Sequence, residues 1–95
     1  MAKSYVYILK CSDDSYYVGS TKDVGFRFWQ HSNSIGAIYT AERLPVRLIY
    51  IEIFTRIDHA FEREHQIKNW SRKKKEALIK GNKQDLKVLS KKQFR

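Results

Sequence analysis

Residues 5–11 (YVYILKC) and 16–21 (YYVGST) decide the fold of this chain, because both stretches are rich in the aromatic and β-branched side chains that favour β-strands. The sequence Ser-Asp-Asp-Ser at 12–15 separates them and consists entirely of turn-forming residues. Two strand patterns joined by so short a turn predict a β-hairpin.

The register of this hairpin decides whether its tyrosines share a face of the sheet. A regular ladder that pairs Cys11 with Tyr16 would put Tyr7 and Tyr17 on opposite faces. Pairing of Tyr7 with Gly19, through an odd-length loop or a bulge, would put both tyrosines on one face. Gly19 stands inside a strand pattern, which indicates a bulge or a close approach of a ligand to the backbone.

A helical pattern follows the hairpin, and Asp23 is placed to cap it. One stripe of this helix, at positions i, i+3, i+4 and i+7, consists of Val24, Arg27, Phe28 and His31. Residues 33–44 contain a glycine and several polar residues, so we expect a loop there with one short helical turn.

The second half of the chain predicts one strand and two helices. Residues 46–54 (VRLIYIEIF) are largely apolar at both odd and even positions, so both faces of the strand are apolar. This pattern is typical of a strand covered on both faces and places it at the centre of the sheet. A helix is expected from about residue 58 to 70. Its stripe consists of Ile57, Ala60, Phe61, Glu64 and Ile67. A further helix over 72–80 would be capped by Ser71 and closed by Gly81.

The element order β-β-α-β-α-α predicts an α+β fold, in which helices flank a small, three-stranded, mainly antiparallel sheet. A chain of 95 residues has room for one domain, which we assign to residues 1–81. Residues 82–95 would form a basic C-terminal extension with a short helix over 85–89. The apolar anchors of this extension would be Leu86, Val88 and Leu89.

The composition excludes several classes of protein. Cys11 is the only cysteine, so these residues cannot form a disulfide among themselves or a zinc site with two cysteines. No apolar stretch approaches the ~18–20 residues of a membrane helix, and residues 1–10 lack the apolar core of a signal peptide. We therefore expect a cytoplasmic protein without membrane association, and no small-molecule cofactor motif is evident.

The charge is concentrated in the last third of the sequence. The chain has 19 Lys and Arg against 10 Asp and Glu, a net charge of +9. Residues 62–95 hold twelve of these basic residues and four of the acidic ones. Such a cluster favours a polyanionic partner, with nucleic acid first and an anionic membrane surface second. The alternative is a solvated segment that only keeps the protein soluble.

Three polar residues lie on helix stripes that are otherwise apolar, where burial is costly unless the group is paired or functional. Glu64 follows Ala60 by four residues, so its carboxylate should point to the core side of its helix. Arg27 and His31 are spaced i, i+4 and share a face. Each residue also has a purely structural alternative. Glu64 could pair with a basic residue, Arg27 could lie at the edge of its stripe, and His31 could be a core histidine with its hydrogen bonds satisfied.

The chemistry available to these side chains is that of a phosphodiester hydrolase. One carboxylate can hold a Mg²⁺ ion that takes the rest of its ligands from water and from substrate phosphate. An arginine can bind the phosphate and stabilise its developing charge. A tyrosine or a histidine can activate or orient the attacking water. A lone carboxylate does not suit a glycosidase, which needs a pair.

The same residues carry a family resemblance. The sequence closely resembles the GIY-YIG nuclease superfamily, in particular its small stand-alone bacterial members, over residues 4 to about 80. In chain order, the residues that carry the resemblance are Tyr5-Val6-Tyr7, Tyr17-Val18-Gly19, Ser20-Thr21-Lys22-Asp23, Arg27, His31 and the Glu64 helix (AFEREHQIKNWSRKK).

The resemblance implies metal-dependent cleavage of a nucleic-acid backbone, with DNA favoured over RNA and Mg²⁺ as the expected cofactor. Tyr7 and Tyr17 match the two motif tyrosines, one of which is taken as the general base. Arg27 matches the arginine that engages the scissile phosphate, and Glu64 matches the metal-binding glutamate. His31 matches a position that is His in some branches and Tyr in others.

Gly19 matches the glycine that lets the backbone approach the site. The basic run Arg72, Lys73, Lys74 and Lys75 follows the Glu64 helix and could extend a phosphate-binding surface. Successive helical residues are ~100° apart, so about two of the four could touch phosphate together. Two other functions stay open: a non-catalytic nucleic-acid-binding module with the same fold, and an accessory protein of a nucleoprotein complex, for which a protein partner is expected.

Overall fold

The computed structural model describes residues 3–84 of the chain. In chain order its elements are β1 (Ser4–Lys10), β2 (Tyr16–Thr21), α1 (Val24–Ser32), α2 (Ile38–Ala41), β3 (Arg47–Phe54), α3 (Ile57–Lys68) and α4 (Arg72–Gln84). This order confirms the predicted arrangement, including the short helical turn in the loop. The short helix expected over 85–89 lies outside the described residues.

The three strands form one antiparallel sheet in the order β2-β1-β3, so the predicted fold class is confirmed. The expected central position of the third strand is wrong, because β1 is the central strand. The side chains of β1 from Val6 to Leu9 are at most 2% exposed, since neighbouring strands and helix layers cover both faces. β3 is an edge strand, and Ile51 and Ile53 are 38% and 61% exposed.

The hairpin has the register that brings the two tyrosines onto one face. Tyr7 pairs with Gly19 and Leu9 pairs with Tyr17 across a loop of odd length, residues 11–15. Paired residues point to the same side of an antiparallel ladder. The turn places Asp14 in the left-handed region at φ 71°, which Asp tolerates better than most residues.

The two faces of the sheet carry separate core clusters. On one face Tyr7, Leu9, Cys11 and Val46 form a buried cluster against which Phe28 of α1 packs. On the other face the buried cluster consists of Val6, Ile8, Val18, Tyr50, Ala60 and Ile67, the last two from α3. The sheet is therefore the middle layer between α1 and α2 on one side and α3 and α4 on the other.

Most helix boundaries follow the predicted signals. The Asp23 carboxylate accepts from the backbone N–H of Phe26 at 3.0 Å, which confirms it as the α1 N-cap. Ser71 Oγ accepts from the backbone N–H of Lys74 at 3.2 Å, which confirms the cap of α4. The predicted end at Gly81 is wrong, because α4 continues to Gln84. Gly81 lacks the positive φ of a helix-ending glycine and is part of α4, where a glycine is tolerated at a small cost in stability.

The buried stripe of α3 is narrower than expected. Ala60, Glu64 and Ile67 are buried against the sheet, as the spacing predicts. Ile57 and Phe61 are 58% and 56% exposed, because they flank that stripe rather than face the sheet.

Candidate active site

The Tyr7 hydroxyl is a buried polar group at the centre of the predicted site. The Tyr7 residue is 2% exposed, and its ring lies against the backbone of Gly19 in the neighbouring strand. A Cβ atom on Gly19 would lie 2.6 Å from Cζ of Tyr7, which is closer than such atoms can approach. Glycine is thus required at this position because the tyrosine occupies the space of a side chain.

His31 lies behind Tyr7, on the side away from solvent. His31 Nε2 is 2.9 Å from the Tyr7 hydroxyl, and His31 Nδ1 is 2.7 Å from Oγ1 of Thr40. The residue is 0% exposed. Burial, reinforced by the charge of Arg27, lowers the pKa of His31 to about 4, so the imidazole is neutral near pH 7. Because it is fully buried, His31 can act on a substrate only through a neighbouring side chain, and Tyr7 is hydrogen-bonded to it.

Arg27 brings a positive charge to the Tyr7 hydroxyl. Its side chain is half-buried on α1, and its Nη1 donates to the amide oxygen of Gln30 at 2.9 Å. Burial raises the pKa of Tyr7 to about 12, and the nearby guanidinium of Arg27 opposes that rise. Within residues 3–84 no carboxylate forms an ion pair with Arg27. Its charge is therefore available to an anionic ligand.

Tyr17 is the motif tyrosine that solvent can reach. It is half-buried, whereas Tyr7 is covered. Its ring centroid lies 5.1 Å from that of His31 and 6.0 Å from that of Tyr39, on which it stacks. The guanidinium of Arg43 lies 3.8 Å from the Tyr39 ring centroid, so this small stack holds the Tyr17 ring in place.

Glu64 reaches the site from the opposite layer. Its carboxylate side chain is 11% exposed, although it lies on the buried stripe of α3. Ser20 Oγ donates to Oε1 at 2.5 Å, and Lys68 Nζ lies 2.8 Å from Oε2. The structural alternative, pairing of Glu64 with a basic residue, is therefore observed as well.

Ser20 links the two layers of the site. It directly follows Gly19 in β2, so Glu64 is held next to the strand position against which Tyr7 packs. The negative charge of Glu64 also contributes to the raised pKa of Tyr7, as does Tyr17. The structure thus gathers Tyr7, Tyr17, Arg27 and His31 on one face and brings Glu64 close to them from the other.

An open groove of about 330 Å³ lies beside β2, and Tyr17 is the predicted catalytic residue that borders it. It is lined by Tyr16, Tyr17, Val18, Tyr39, Lys68 and Lys75. One wall is aromatic and the other basic, which suits a polyanion with apolar groups. A second open groove of about 450 Å³ lies beside α3 and is lined by none of the predicted site residues.

The predicted basic run does not present four equivalent charges. Arg72 is fixed at the hairpin loop, because its Nη1 donates to the backbone oxygen of Asp14 at 2.6 Å and its Nε pairs with Glu76 at 3.0 Å. The Lys74 ammonium lies 4.3 Å from the Trp70 ring centroid. These two side chains stabilise the α4 layer.

The other two residues of the run differ in their surroundings. Lys75 is half-buried in the groove beside Tyr16 and Tyr17, whereas Lys73 is exposed on another side of α4. Only Lys75 therefore faces the region where the predicted site residues converge.

The donor set around Glu64 fits a divalent cation held by one protein carboxylate. No group of three or more His, Cys, Asp or Glu side chains that could hold a metal occurs among residues 3–84. Mg²⁺ is commonly bound by one or two carboxylates, with waters and substrate phosphates as its other ligands. The Lys68 ammonium at Oε2 shows that a cation can reach the carboxylate, and the Ser20 hydroxyl adds an oxygen beside it.

Sequence reasoning gave no role to four residues of this region. Ser20 and Lys68 contact Glu64, and Thr40 and Gly36 contact His31. Lys68 carries a signal, since it follows Glu64 by four residues on a helix. Thr40 and Gly36 carry none, because they lie in a segment whose path over α1 cannot be read from its polar composition.

Residues 3–77 match the family model of the GIY-YIG catalytic domain, and the chain therefore belongs to the GIY-YIG family. It is 48% identical over 79 residues to a UPF0213 protein of Staphylococcus saprophyticus, covering 83% of this chain and 96% of that protein. It is 46% identical over 80 residues to a UPF0213 protein of Staphylococcus aureus, covering 84% of this chain and 98% of that one.

A solved structure supports the fold. The solution NMR structure of a UPF0213 protein from Bacillus halodurans has a TM-score of 0.54 and 43% sequence identity, covering 81% of this chain and 82% of that chain. These relatives are bacterial and the staphylococcal ones match over nearly their whole length, so the resemblance to small stand-alone members is confirmed. Within residues 3–84 no helix is long and apolar enough to cross a membrane.

Proposed function

We propose that this protein is a metal-dependent endonuclease that hydrolyses phosphodiester bonds of nucleic acid, with DNA as the favoured substrate. The observation that carries the proposal is that Tyr7 and Tyr17 both lie against His31 on one face of the sheet, with the charges of Arg27 and Glu64 close enough to act on Tyr7. A phenol, a guanidinium and a carboxylate can together serve phosphodiester hydrolysis, and family membership supports that chemistry.

The phosphate would bind between the basic side chains. Arg27 is half-buried with no carboxylate partner within residues 3–84, so a phosphodiester gains its charge without displacing another anion. Lys68 and Lys75 line the groove that also holds Tyr17. Guanidinium and ammonium donors directed at a transferring phosphoryl group stabilise the charge that develops in the transition state.

Tyr17 would act on the attacking water, since it is the motif tyrosine that lies in the groove. The water oxygen forms the new bond to phosphorus while its proton passes to the Tyr17 oxygen, and the hydroxyl proton of Tyr17 passes to solvent. The P–O ester bond breaks, and the leaving oxygen takes a proton from solvent. Tyr7 would help to position the nearby guanidinium of Arg27.

Glu64 would hold the divalent metal, most simply Mg²⁺, with Ser20 orienting the carboxylate. When bound, the ion would supply charge neutralisation at the phosphate oxygens and Lewis-acid polarisation of phosphorus. Lys68 must then release Oε2, which places its ammonium in the groove next to the substrate.

One observation favours the second candidate, a nucleic-acid-binding module without catalysis. Both carboxylate oxygens of Glu64 already have partners, Ser20 and Lys68. If Glu64 stays paired with Lys68, it holds no metal, and the basic groove would bind nucleic acid without cleaving it.

Nicking of supercoiled plasmid DNA separates the two functions. Wild-type protein should nick it with Mg²⁺ and not with a chelator. Arg27→Gln should lower the rate by about 10²–10³-fold, the loss typical of removing one donor to the developing charge. Arg47→Gln removes the same charge from an exposed position on β3 and should cleave like the wild type. Binding by all three proteins without cleavage by any would favour the module.

A further inference from the structure

Three hydrogen bonds connect the Tyr7 hydroxyl to the backbone before α2. The Tyr7 hydroxyl lies 2.9 Å from His31 Nε2, and His31 Nδ1 lies 2.7 Å from Thr40 Oγ1. Thr40 Oγ1 in turn donates to the backbone oxygen of Ala37 at 3.1 Å. His31 and Thr40 are both 0% exposed, so water does not compete for these bonds.

The direction of each bond follows from the last one. A carbonyl oxygen can only accept, so the single proton of the Thr40 hydroxyl is directed at Ala37. Thr40 Oγ1 must then accept from His31, which places a proton on Nδ1. A neutral imidazole carries one proton, so Nε2 is left as the acceptor and the Tyr7 hydroxyl donates to it.

We propose that Thr40 is a positioning residue that fixes His31 in the Nδ1–H tautomer, and thereby directs the Tyr7 hydroxyl proton away from Arg27. This role rests on the proposed function only for its effect on cleavage. The hydrogen-bond geometry that carries it belongs to the folded protein without substrate.

The opposite tautomer would disturb Arg27. With a proton on Nε2, His31 would donate to the Tyr7 oxygen, and the tyrosine would have to turn its own proton elsewhere. The guanidinium of Arg27, whose charge lies close to Tyr7, has no lone pair to accept that proton and would then face it. Thr40 therefore acts on the phosphate-binding residue through two intermediate side chains.

Gly36 confines the imidazole ring from another direction. A Cβ atom on Gly36 would lie 2.6 Å from Nδ1 and 2.9 Å from Cγ of His31. The backbone thus packs directly on the ring at the nitrogen that Thr40 contacts. Thr40 in α2 thus supplies the hydrogen-bond acceptor, and Gly36 in the loop before α2 supplies the close packing that holds the ring.

The first test is the tautomer of His31 in the wild-type protein, read from two-bond ¹⁵N–¹H correlations of the imidazole near pH 7. The proposal predicts a protonated Nδ1 and an unprotonated Nε2. A predominant Nε2–H form in the folded wild type would overturn it, whether or not the protein cleaves nucleic acid.

The second test uses matched variants of Thr40. Thr40→Val keeps the shape and removes the acceptor, so it should shift the tautomer ratio toward Nε2–H by roughly tenfold, about the worth of one buried hydrogen bond. Thr40→Ser restores the hydroxyl and should restore the wild-type signals. Thr55→Val, at an exposed threonine, is the control. An unchanged His31 tautomer in folded Thr40→Val would overturn the proposal. If that variant does not fold, the proposal is decided by the His31 tautomer of the wild-type protein, as in the first test.

Cleavage kinetics then test the consequence for Arg27. In an active protein, Thr40→Val should lower kcat and kcat/KM together by about tenfold, because the interaction it supports strengthens in the transition state. Thr40→Ser should stay within about twofold of the wild type, because it keeps the acceptor. Full activity in a Thr40→Val protein with the changed tautomer would overturn the positioning role. Absence of cleavage in the wild type would contradict the proposed function and leave the tautomer test standing.

Discussion

Tyr7 in β1 and Gly19 in β2 are ladder partners, and the tyrosine ring occupies the space that a side chain on residue 19 would need. This packing places the phenol hydroxyl over the edge strand, within reach of His31 behind it and Arg27 beside it. The odd register of the hairpin therefore determines where the candidate site lies.

Replacement of Gly19 by alanine should disrupt the site more than the fold. The new Cβ would lie 2.6 Å from Cζ of Tyr7, so the ring must move and its bond to His31 must lengthen. We expect a loss of stability of about 1–3 kcal/mol from overpacking, measured by urea denaturation, and a larger proportional loss of cleavage per folded molecule.

Gly25→Ala is the matched control, because its Cβ would meet only the Asp23 carboxylate at 3.7 Å. Alanine is the better helix former, so this variant should be at least as stable as the wild type. Equal behaviour of the two variants would contradict the close packing of Tyr7 on Gly19.

The stability of the protein should fall as the pH is lowered from about 6.5 to about 4 because of His31. Its pKa is about 4 in the folded protein against an ordinary value of 6.5, so the unfolded chain binds more protons in this window. The contribution of neutral His31 to the free energy of unfolding is present in full above pH 6.5, the ordinary pKa of histidine. It amounts to about 3 kcal/mol.

Urea denaturation of the wild type and of His31→Gln at several pH values measures this contribution. The variant should be less stable at pH 7 and should show a flatter dependence between pH 6.5 and 4. Asp13 and Asp58 have lowered pKa values, so the stabilisation that their ionised carboxylates provide is lost mainly below this window. Parallel curves for the two proteins would mean that His31 is already charged, or exposed, in the folded state.

Much of the fold could be predicted because its signals are local. The aromatic and β-branched residues of the hairpin, the Asp23 and Ser71 caps and the stripe of α3 each act within a few residues. The order of strands is not local. The apolar run at 46–54 indicated the central strand, but the helices leave part of β3 uncovered and cover β1 completely.

The candidate site shows the same division. Arg27, His31 and Glu64 stood out as polar residues on apolar stripes. Thr40 did not, because its importance comes from a contact between residues nine apart in sequence and from the path of a loop. The different surroundings of the four basic residues 72–75 likewise depend on neighbours far away in the chain, such as Asp14 for Arg72.

Lys75 should contribute to nucleic-acid binding more than Lys73. Lys75 lies in the groove beside Tyr17, whereas Lys73 points to solvent elsewhere on α4. Loss of one phosphate contact should reduce the slope of log K against log salt by about 0.9 on duplex DNA. The loss should be similar for all sequences, since phosphate contacts do not read bases.

Binding titrations of Lys75→Gln and Lys73→Gln at several salt concentrations measure this difference. Both variants lose one charge from the same helix, so the net charge of the protein is matched. An equal change of slope in the two would show that the run acts as a diffuse charge rather than through a contact in the groove.

The most direct measurement of the central claim is metal-dependent nicking by Glu64→Gln beside Glu62→Gln. Both variants remove one carboxylate from α3, but Glu62 is exposed and Glu64 lies at Ser20 in the site. The account predicts that Glu64→Gln loses Mg²⁺-dependent cleavage while Glu62→Gln keeps it, with both proteins folded. Equal cleavage per folded molecule by the two variants would contradict the assignment of Glu64 as the metal-binding residue of a nuclease.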